Sequence, residues 1–151
     1  MADDPFADVQ RVFEAGRIIA GNLRRGADLL AFLTETARRH NVLAGAYNFL
    51  GAVSEARVAY YDFEARVYEE LVRQEDLELV SGIGNVSLRD GEVFVHAHVA
   101  FADREGRMFG GHLNPGTRIL AGEFTLWELR GEPFRRAPDP VTGLNLWHIS
   151  S

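Results

Sequence analysis

The chain has 151 residues, of which 46% are hydrophobic, and this length and composition predict one compact domain with a full core. Its 22 acidic residues outnumber its 16 basic residues, all of them arginine, and the net charge of −6 argues against nucleic acid as the main partner. The absence of cysteine excludes disulfides and thiolate ligands, and no apolar stretch approaches the roughly 20 residues of a membrane span. We therefore expect a cytoplasmic protein with no membrane contact.

The first part of the chain is predicted to hold the main helix. Residues 1–16 are predicted as an N-terminal arm or a short amphipathic helix, and a strand over 17–23 follows. Apolar residues then recur at helical spacing between Asp28 and Ala37. They predict a helix over 27–40.

Strands are predicted over most of the remaining chain, because β-branched and aromatic residues alternate between turn signals. The predicted strands are 42–50 and 55–61, joined at Gly51, and then 66–72, 77–88, 92–101, 107–109 and 118–129. Hairpin turns are expected at 89–91 and 103–106. One main helix and a series of hairpin-linked strands predict an α+β fold: a single domain over 17–130, built on a largely antiparallel sheet.

The composition changes after residue 130. Prolines and glycines interrupt regular structure as far as Gly143, so 131–151 is predicted as a tail. We expect this tail to pack on the domain, or on a neighbouring subunit, through Leu144, Leu146 and Trp147. The neighbouring Arg135 and Arg136 are predicted to be solvated surface, like the other arginine pairs.

Three histidines form the most informative pattern in the chain. His96 and His98 alternate along a predicted strand, so both point to one face while Val95, Ala97 and Val99 point to the other. His112 follows two glycines beyond a predicted hairpin. These spacings are typical of a three-nitrogen site for zinc or another divalent transition metal, with a fourth position open. The alternative is that the histidines only make hydrogen bonds on a solvent-facing or subunit-facing surface.

A catalytic role for such a site would require a general base. Glu123, on a later predicted strand, is the first candidate, and Glu92, on the same strand face as the histidines, is the second. Glu123 could instead orient an imidazole from outside the metal's ligand set. Both carboxylates also fit an ordinary surface or interface role.

Several short segments occur in a fixed order between about Arg17 and Leu129. They are Gly26-Ala-Asp-Leu-Leu, Leu43-Ala-Gly-Ala, Leu50-Gly-Ala-Val-Ser, Tyr60-Tyr-Asp, Ser81-Gly-Ile-Gly-Asn-Val-Ser, His96-Ala-His-Val and Gly106-Arg-Met-Phe-Gly-Gly-His-Leu. Together they resemble the PPC domain, which is named for its occurrence in plants and prokaryotes. The chain is similar to a prokaryotic, stand-alone member of that family.

The resemblance implies one main helix packed on a curved, mixed sheet, and a homotrimer as the assembly. It also implies a divalent metal, zinc before others, at His96, His98 and His112. Plant members occur beside AT-hooks, but this sequence has no Arg-Gly-Arg-Pro core with which to contact a minor groove. A DNA-binding role therefore does not follow directly from the resemblance.

Three functions are compatible with these residues. The first is a metal-binding homotrimer with a regulatory or small-ligand-binding role. The second is a metal-dependent hydrolase or lyase that uses water bound to the three-histidine metal, with Glu123 assisting. The third is DNA binding, which the negative net charge opposes.

Overall fold

A mostly antiparallel sheet with one helix on it makes up the described part of the chain, which in the computed structural model is Phe6 and residues 8–148. The elements in chain order are β1 Glu14–Asn22, α1 Leu29–Arg39, β2 Gly45–Asp62, β3 Val67–Arg73, β4 Leu77–Arg89, β5 Glu92–Ala102, β6 Met108–Leu113, β7 Arg118–Arg130, β8 Arg135–Pro138 and β9 Asn145–His148. This arrangement confirms the predicted single α+β domain with one main helix.

The nine strands form one sheet in the order β1-β7-β2-β6-β5-β4-β8-β9, with β3 paired to β2. Every pairing between these strands is antiparallel except that of β4 with β8, which is parallel. The long strand β2 also pairs with β4, so it contacts four other strands along its length. Strand β2 is thus the centre around which the sheet is organised.

The predicted break at Gly51 does not exist, because β2 runs through it as a single strand of 18 residues. Gly51 adopts a φ of +151°, and a Cβ added there would lie 2.2 Å from the carbonyl oxygen of Ala121 on β7. The glycine therefore marks a close approach of two backbones rather than a turn. A glycine within a strand pattern carries either meaning, and the sequence did not distinguish them.

Helix α1 begins and ends close to the predicted bounds. Asp28 caps it by accepting a hydrogen bond of 2.8 Å from the Ala31 amide. Its buried face includes Leu29, Phe32 and Leu33, which belong to the same core as the odd-numbered residues of β5. The helix therefore covers one face of β5, and His96 and His98 lie on the other face. No helix in the described part of the chain is long and apolar enough to cross a membrane.

The two ends of the described chain differ from the predictions. Residues 9–13 have no regular structure and form no helix, since β1 already begins at Glu14 and pairs with β7. Residues 1–5 and 7 of the predicted arm lie outside the described residues. In the tail, β8 adds a short strand beside β4 where the sequence predicted none.

Residues 131–148 of the predicted tail pack on the strands that precede them, and residues 149–151 lie outside the described residues. Phe134 is buried, and its ring stacks on Trp147 with the ring centres 4.3 Å apart. Strand β9 pairs with β8, which in turn pairs with β4. Residues 131–148 are thereby placed beside the hairpin formed by β4 and β5, and β5 is the strand that contains His96 and His98.

Candidate metal centre

The three predicted histidines lie together on neighbouring strands. His98 on β5 is paired directly with His112 on β6, and His96 is two residues away on β5. The ring centre of His96 lies 5.0 Å from that of His98 and 5.0 Å from that of His112. The ring centres of His98 and His112 are 5.6 Å apart. One nitrogen from each ring lies within 4.8 Å of the other two. The cluster is formed within a single chain.

Two glycines before His112 allow strand β6 to lie close to both of its neighbours. A Cβ on Gly110 would lie 2.1 Å from the carbonyl oxygen of Val99 on β5. A Cβ on Gly111 would lie 2.7 Å from the carbonyl oxygen of Ala59 on β2. Real Cβ atoms do not approach backbone oxygens so closely, so any side chain at these positions would displace β6 and His112 with it.

The environment keeps two of the imidazoles neutral. Burial, followed by the nearby charges of Arg136, His112 and His98, lowers the pKa of His96 to about 4. Burial also lowers the pKa of His112 to about 4, together with the charges of His98 and Arg136. Neutral imidazole is the form that binds a metal, so His96 and His112 can each offer a ring nitrogen to a metal at neutral pH.

The donor set fits a divalent transition metal. Nitrogens about 2.0–2.1 Å from a tetrahedral zinc lie roughly 3.3 Å apart. The three histidine nitrogens lie within 4.8 Å of one another, so small side-chain rotations suffice to bring them to that spacing. Imidazole nitrogens suit zinc, nickel, cobalt and copper, and the donors do not select one of these.

The histidines line a pocket of about 690 Å³, which we call the histidine pocket. Besides the histidines, Ala59 and Gly111, the described residues that line it are of three kinds: aromatic residues, arginines and residues of the tail. The aromatic residues are Tyr60, Tyr61, Phe63, Tyr68 and Phe94; the arginines are Arg66, Arg89 and Arg136; and the tail contributes 143–146. No acidic side chain is among the described residues that line it.

Arg136 is the main residue that the sequence interpretation missed, because it was assigned to solvated surface together with Arg135. Arg135 is exposed, but Arg136 is partly buried and lines the histidine pocket. Its guanidinium donates hydrogen bonds of 2.9 Å to Ser87 Oγ, Asn85 Oδ1 and the Asn145 carbonyl. Burial, followed by the repulsion of Arg89, lowers its pKa to about 10. Burial does not alternate along β8, so the sequence offered no periodic signal for this inward position.

Neither candidate carboxylate lies with the histidines. Glu123 on β7 is exposed and pairs with Leu50 on β2, whereas His112 pairs with Ala59 further along the same strand. Glu123 lines a separate depression together with Leu50. Glu92 is exposed at the start of β5 and lies 3.6 Å from Arg38 of the helix. The structure therefore assigns neither residue a place beside the imidazoles.

Comparison with known proteins gives consistent matches. The profile of the Plants and Prokaryotes Conserved (PCC) domain matches residues 10–130. The bifunctional protein GlmU of a Synechococcus species is 35% identical over 135 residues, which are 88% of this chain and 20% of that protein. The chain thus spans about a fifth of the length of the curated relatives it matches.

Two solved structures are similar over almost their whole length. A plant- and prokaryote-conserved (PPC) protein of Pyrococcus horikoshii is 34% identical, with a TM-score of 0.88 over 95% of this chain and 99% of its own. A metal-containing protein of Archaeoglobus fulgidus is 36% identical, with a TM-score of 0.86 over 91% of this chain and 99% of its own. Since the domain profile covers most of the sequence and these structures share its fold, the chain belongs to the Plants and Prokaryotes Conserved domain family, as its motifs suggested.

Proposed function

We propose that this protein binds a divalent transition metal, zinc before others, through His96, His98 and His112, and that it has a regulatory or small-ligand-binding role. The observation that carries this proposal is the approach of three imidazole nitrogens to within 4.8 Å of one another in a pocket. The similarity to the A. fulgidus protein, which is described as metal-containing, supports it.

The chain itself orients the ligands. The pairing of His98 with His112 sets the distance between strands, and the alternation along β5 sets the position of His96. A divalent metal held by these three histidines would supply a Lewis acid. Aromatic side chains line the pocket around the histidines, and its arginines make the surroundings positive.

A binding role is favoured over a hydrolytic one. Activation of water for attack requires a group that accepts its proton, and no described carboxylate lines the histidine pocket. DNA binding is opposed by the net charge of −6, and the pocket's three arginines line a cavity instead of forming an exposed stripe.

The proposal includes a homotrimer. Several large apolar side chains are exposed on strands, among them Ile18 at 67% on β1 and Ile83 at 60% on β4. Ile83 is paired directly with His98, so a subunit contact there would also cover the edge of the metal site. Sedimentation equilibrium at micromolar concentration is expected to give three times the chain mass, and a monomer alone would contradict the trimer.

Metal analysis of protein purified without an affinity tag tests the central claim. We expect about one equivalent of metal per chain in the wild type and in His40→Ala, and little in His96→Ala or His98→Ala. His40 is a suitable control because it lies at the end of the helix, away from the pocket. Equal metal content in wild type and His96→Ala, or none after incubation with zinc, would overturn the assignment.

A further inference from the structure

The charge of the histidine pocket is opposite to that of the whole protein. The chain has a net charge of −6, yet its histidine pocket is lined by three arginines and by no acidic residue of the described chain. A concave site with one sign of charge attracts ligands of the other sign. This contrast is the starting point for identifying the class of ligand.

Arg136 is held in place entirely by neutral groups. Its three hydrogen bonds go to a hydroxyl, an amide oxygen and a backbone carbonyl, so they use three of the five N–H donors of a guanidinium. Its guanidinium also lies over the rings of Phe94 and Trp147, at 5.3 and 5.6 Å from their centres. The side chain is therefore fixed, retains unused donors and has no counter-charge among the described residues.

Arg89 adds a second cation at the same place. Its guanidinium lies 4.2 Å from the centre of the Phe94 ring, on which Arg136 also packs. None of the ion pairs in the described part of the chain includes Arg89 or Arg136. Two neighbouring guanidinium groups without a carboxylate repel each other, and a bound anion would relieve that repulsion.

Arg66, the third arginine of the pocket, has a different role. It donates a hydrogen bond of 3.0 Å to the Val141 carbonyl, and its charge acts on Asp139 in the same segment. The tail thus holds the Arg66 side chain in place, so Arg89 and Arg136 are the arginines of the pocket that could contact a bound anion.

One wall of the pocket is a continuous row of rings. Tyr61 lies between Phe63 and Tyr68, with ring centres 5.0 and 4.9 Å away, and Tyr68 lies 5.0 Å from His112. The hydroxyl of Tyr61 donates to the Thr142 carbonyl and is not available to a ligand as a donor. Such a wall favours a flat, apolar ligand body that packs against ring faces or edges. The pocket volume of about 690 Å³ suits a small organic molecule.

We propose that the histidine pocket binds a small aromatic oxyanion, with the anionic group on Arg136 and Arg89 beside the imidazoles and the ring against Tyr68 and Tyr61. This proposal rests on the metal-binding function, since a divalent cation on the histidines adds positive charge to the same pocket. A carboxylate and a phosphate monoester share the required chemistry, because a guanidinium binds either through paired N–H donors.

Titrations of the full-length, zinc-loaded protein followed by NMR test the proposal, with benzoate and phenyl phosphate as the anionic probes. Benzamide has the shape of benzoate without its charge, and inorganic phosphate has the charge without the ring. We expect at least one aromatic anion to bind about tenfold or more tightly than both of these controls. The tighter of benzoate and phenyl phosphate identifies the anionic group. The proposal would be overturned if benzoate binds no more tightly than benzamide and phenyl phosphate binds no more tightly than inorganic phosphate.

Two variants and one control locate the site. Arg136→Gln and Arg89→Gln are each expected to weaken binding of the aromatic anion about tenfold, whereas Arg135→Gln, the exposed neighbour on β8, leaves it unchanged. The side chain of Arg89 packs on the Phe94 ring and makes no hydrogen bond within the described chain, so Arg89→Gln remains informative if Arg136→Gln fails to fold. Wild-type affinity in Arg89→Gln would overturn the assignment of the anion to this pair.

Zinc content is measured on the same samples, and each titration is repeated after removal of the metal by a chelator. Protein that holds zinc but binds no aromatic anion would refute this inference alone. Protein that binds the anion through Arg89 and Arg136 but holds no zinc would refute the metal-binding function alone.

Discussion

The histidine pocket and the β1–β7 edge of the sheet use arginine in opposite ways. At the edge, Arg17 donates side-chain hydrogen bonds of 2.8 and 2.7 Å to the two oxygens of Glu128, and its backbone amide donates another of 2.9 Å. In the pocket, the side chain of Arg136 makes three hydrogen bonds, but all of them go to neutral groups. A paired arginine stabilises the fold, whereas an unpaired one inside a pocket is available to a ligand. The net charge of the chain does not reveal this difference.

The largest expected effect comes from filling the pocket with metal. Zinc at 100 times its dissociation constant should stabilise the native protein by about 2.7 kcal/mol relative to chelator-treated protein. For a chain of this size, that corresponds to a rise of roughly 5–10 °C in the thermal midpoint. Magnesium, which prefers oxygen ligands, should have no such effect. The same zinc-induced rise in His98→Ala would show that zinc acts elsewhere.

A second prediction concerns the backbone that positions the metal ligands. Gly110→Ala is expected to cost about 1–3 kcal/mol of stability and to weaken zinc binding, because the new Cβ would collide with the Val99 carbonyl and displace His112. Gly106→Ala is the control, since its Cβ would meet nothing within 4 Å, although its positive φ adds some strain. Calorimetric titration with zinc separates the two variants. Equal zinc affinity in both would show that strand spacing does not position His112.

The Arg17–Glu128 pair at the β1–β7 edge should respond to loss of its carboxylate. Glu128→Gln is expected to lower the thermal midpoint by a few degrees, because it removes the carboxylate that accepts three hydrogen bonds from Arg17. Glu35→Gln is the matched control: its ion pair with Arg24 has side chains 56% and 59% exposed, and such pairs contribute little. Thermal unfolding at pH 7 measures both. Equal midpoints for the two variants would show that the Arg17 pair is no more stabilising than an exposed one.

The same pair predicts a pH dependence. Hydrogen bonds from Arg17 lower the pKa of Glu128 from 4.5 to about 2. A carboxylate with a lowered pKa in the folded state contributes stability that is fully present above pH 4.5 and is lost as the pH falls towards 2. The difference in unfolding free energy between wild type and Glu128→Gln should therefore shrink over that range in denaturant titrations. A difference that stays constant with pH would contradict this account.

The smallest expected effect is that of Arg89→Gln on stability. Because Arg89 faces Arg136 without a carboxylate between them, its removal should leave stability unchanged, or raise it slightly at low salt. Unfolding at low and high salt measures this effect. A clear loss of stability at both salt concentrations would place Arg89 with the structural arginines instead.

Local patterns predicted much of the fold and part of the site. Alternation along β5 placed His96 and His98 on one face, because successive side chains of any strand point to opposite faces. Local patterns failed at two places: they predicted a turn at Gly51, and they predicted no strand where β8 lies. A glycine signals a turn and a close approach equally well, and a short strand such as Arg135–Pro138 forms only because β4 is there to pair with it.

By itself, the sequence determined the family, the α+β class and the three histidines, because motif order and strand periodicity are properties of neighbouring residues. Only the tertiary structure decided which acids and arginines share the pocket with them. Strand pairing brings Arg136 from the tail to the histidines and leaves Glu123 in another depression, and the chain positions of these residues do not indicate either outcome. The physical reason is that strand register, which sets these distances, depends on contacts between segments far apart in the chain.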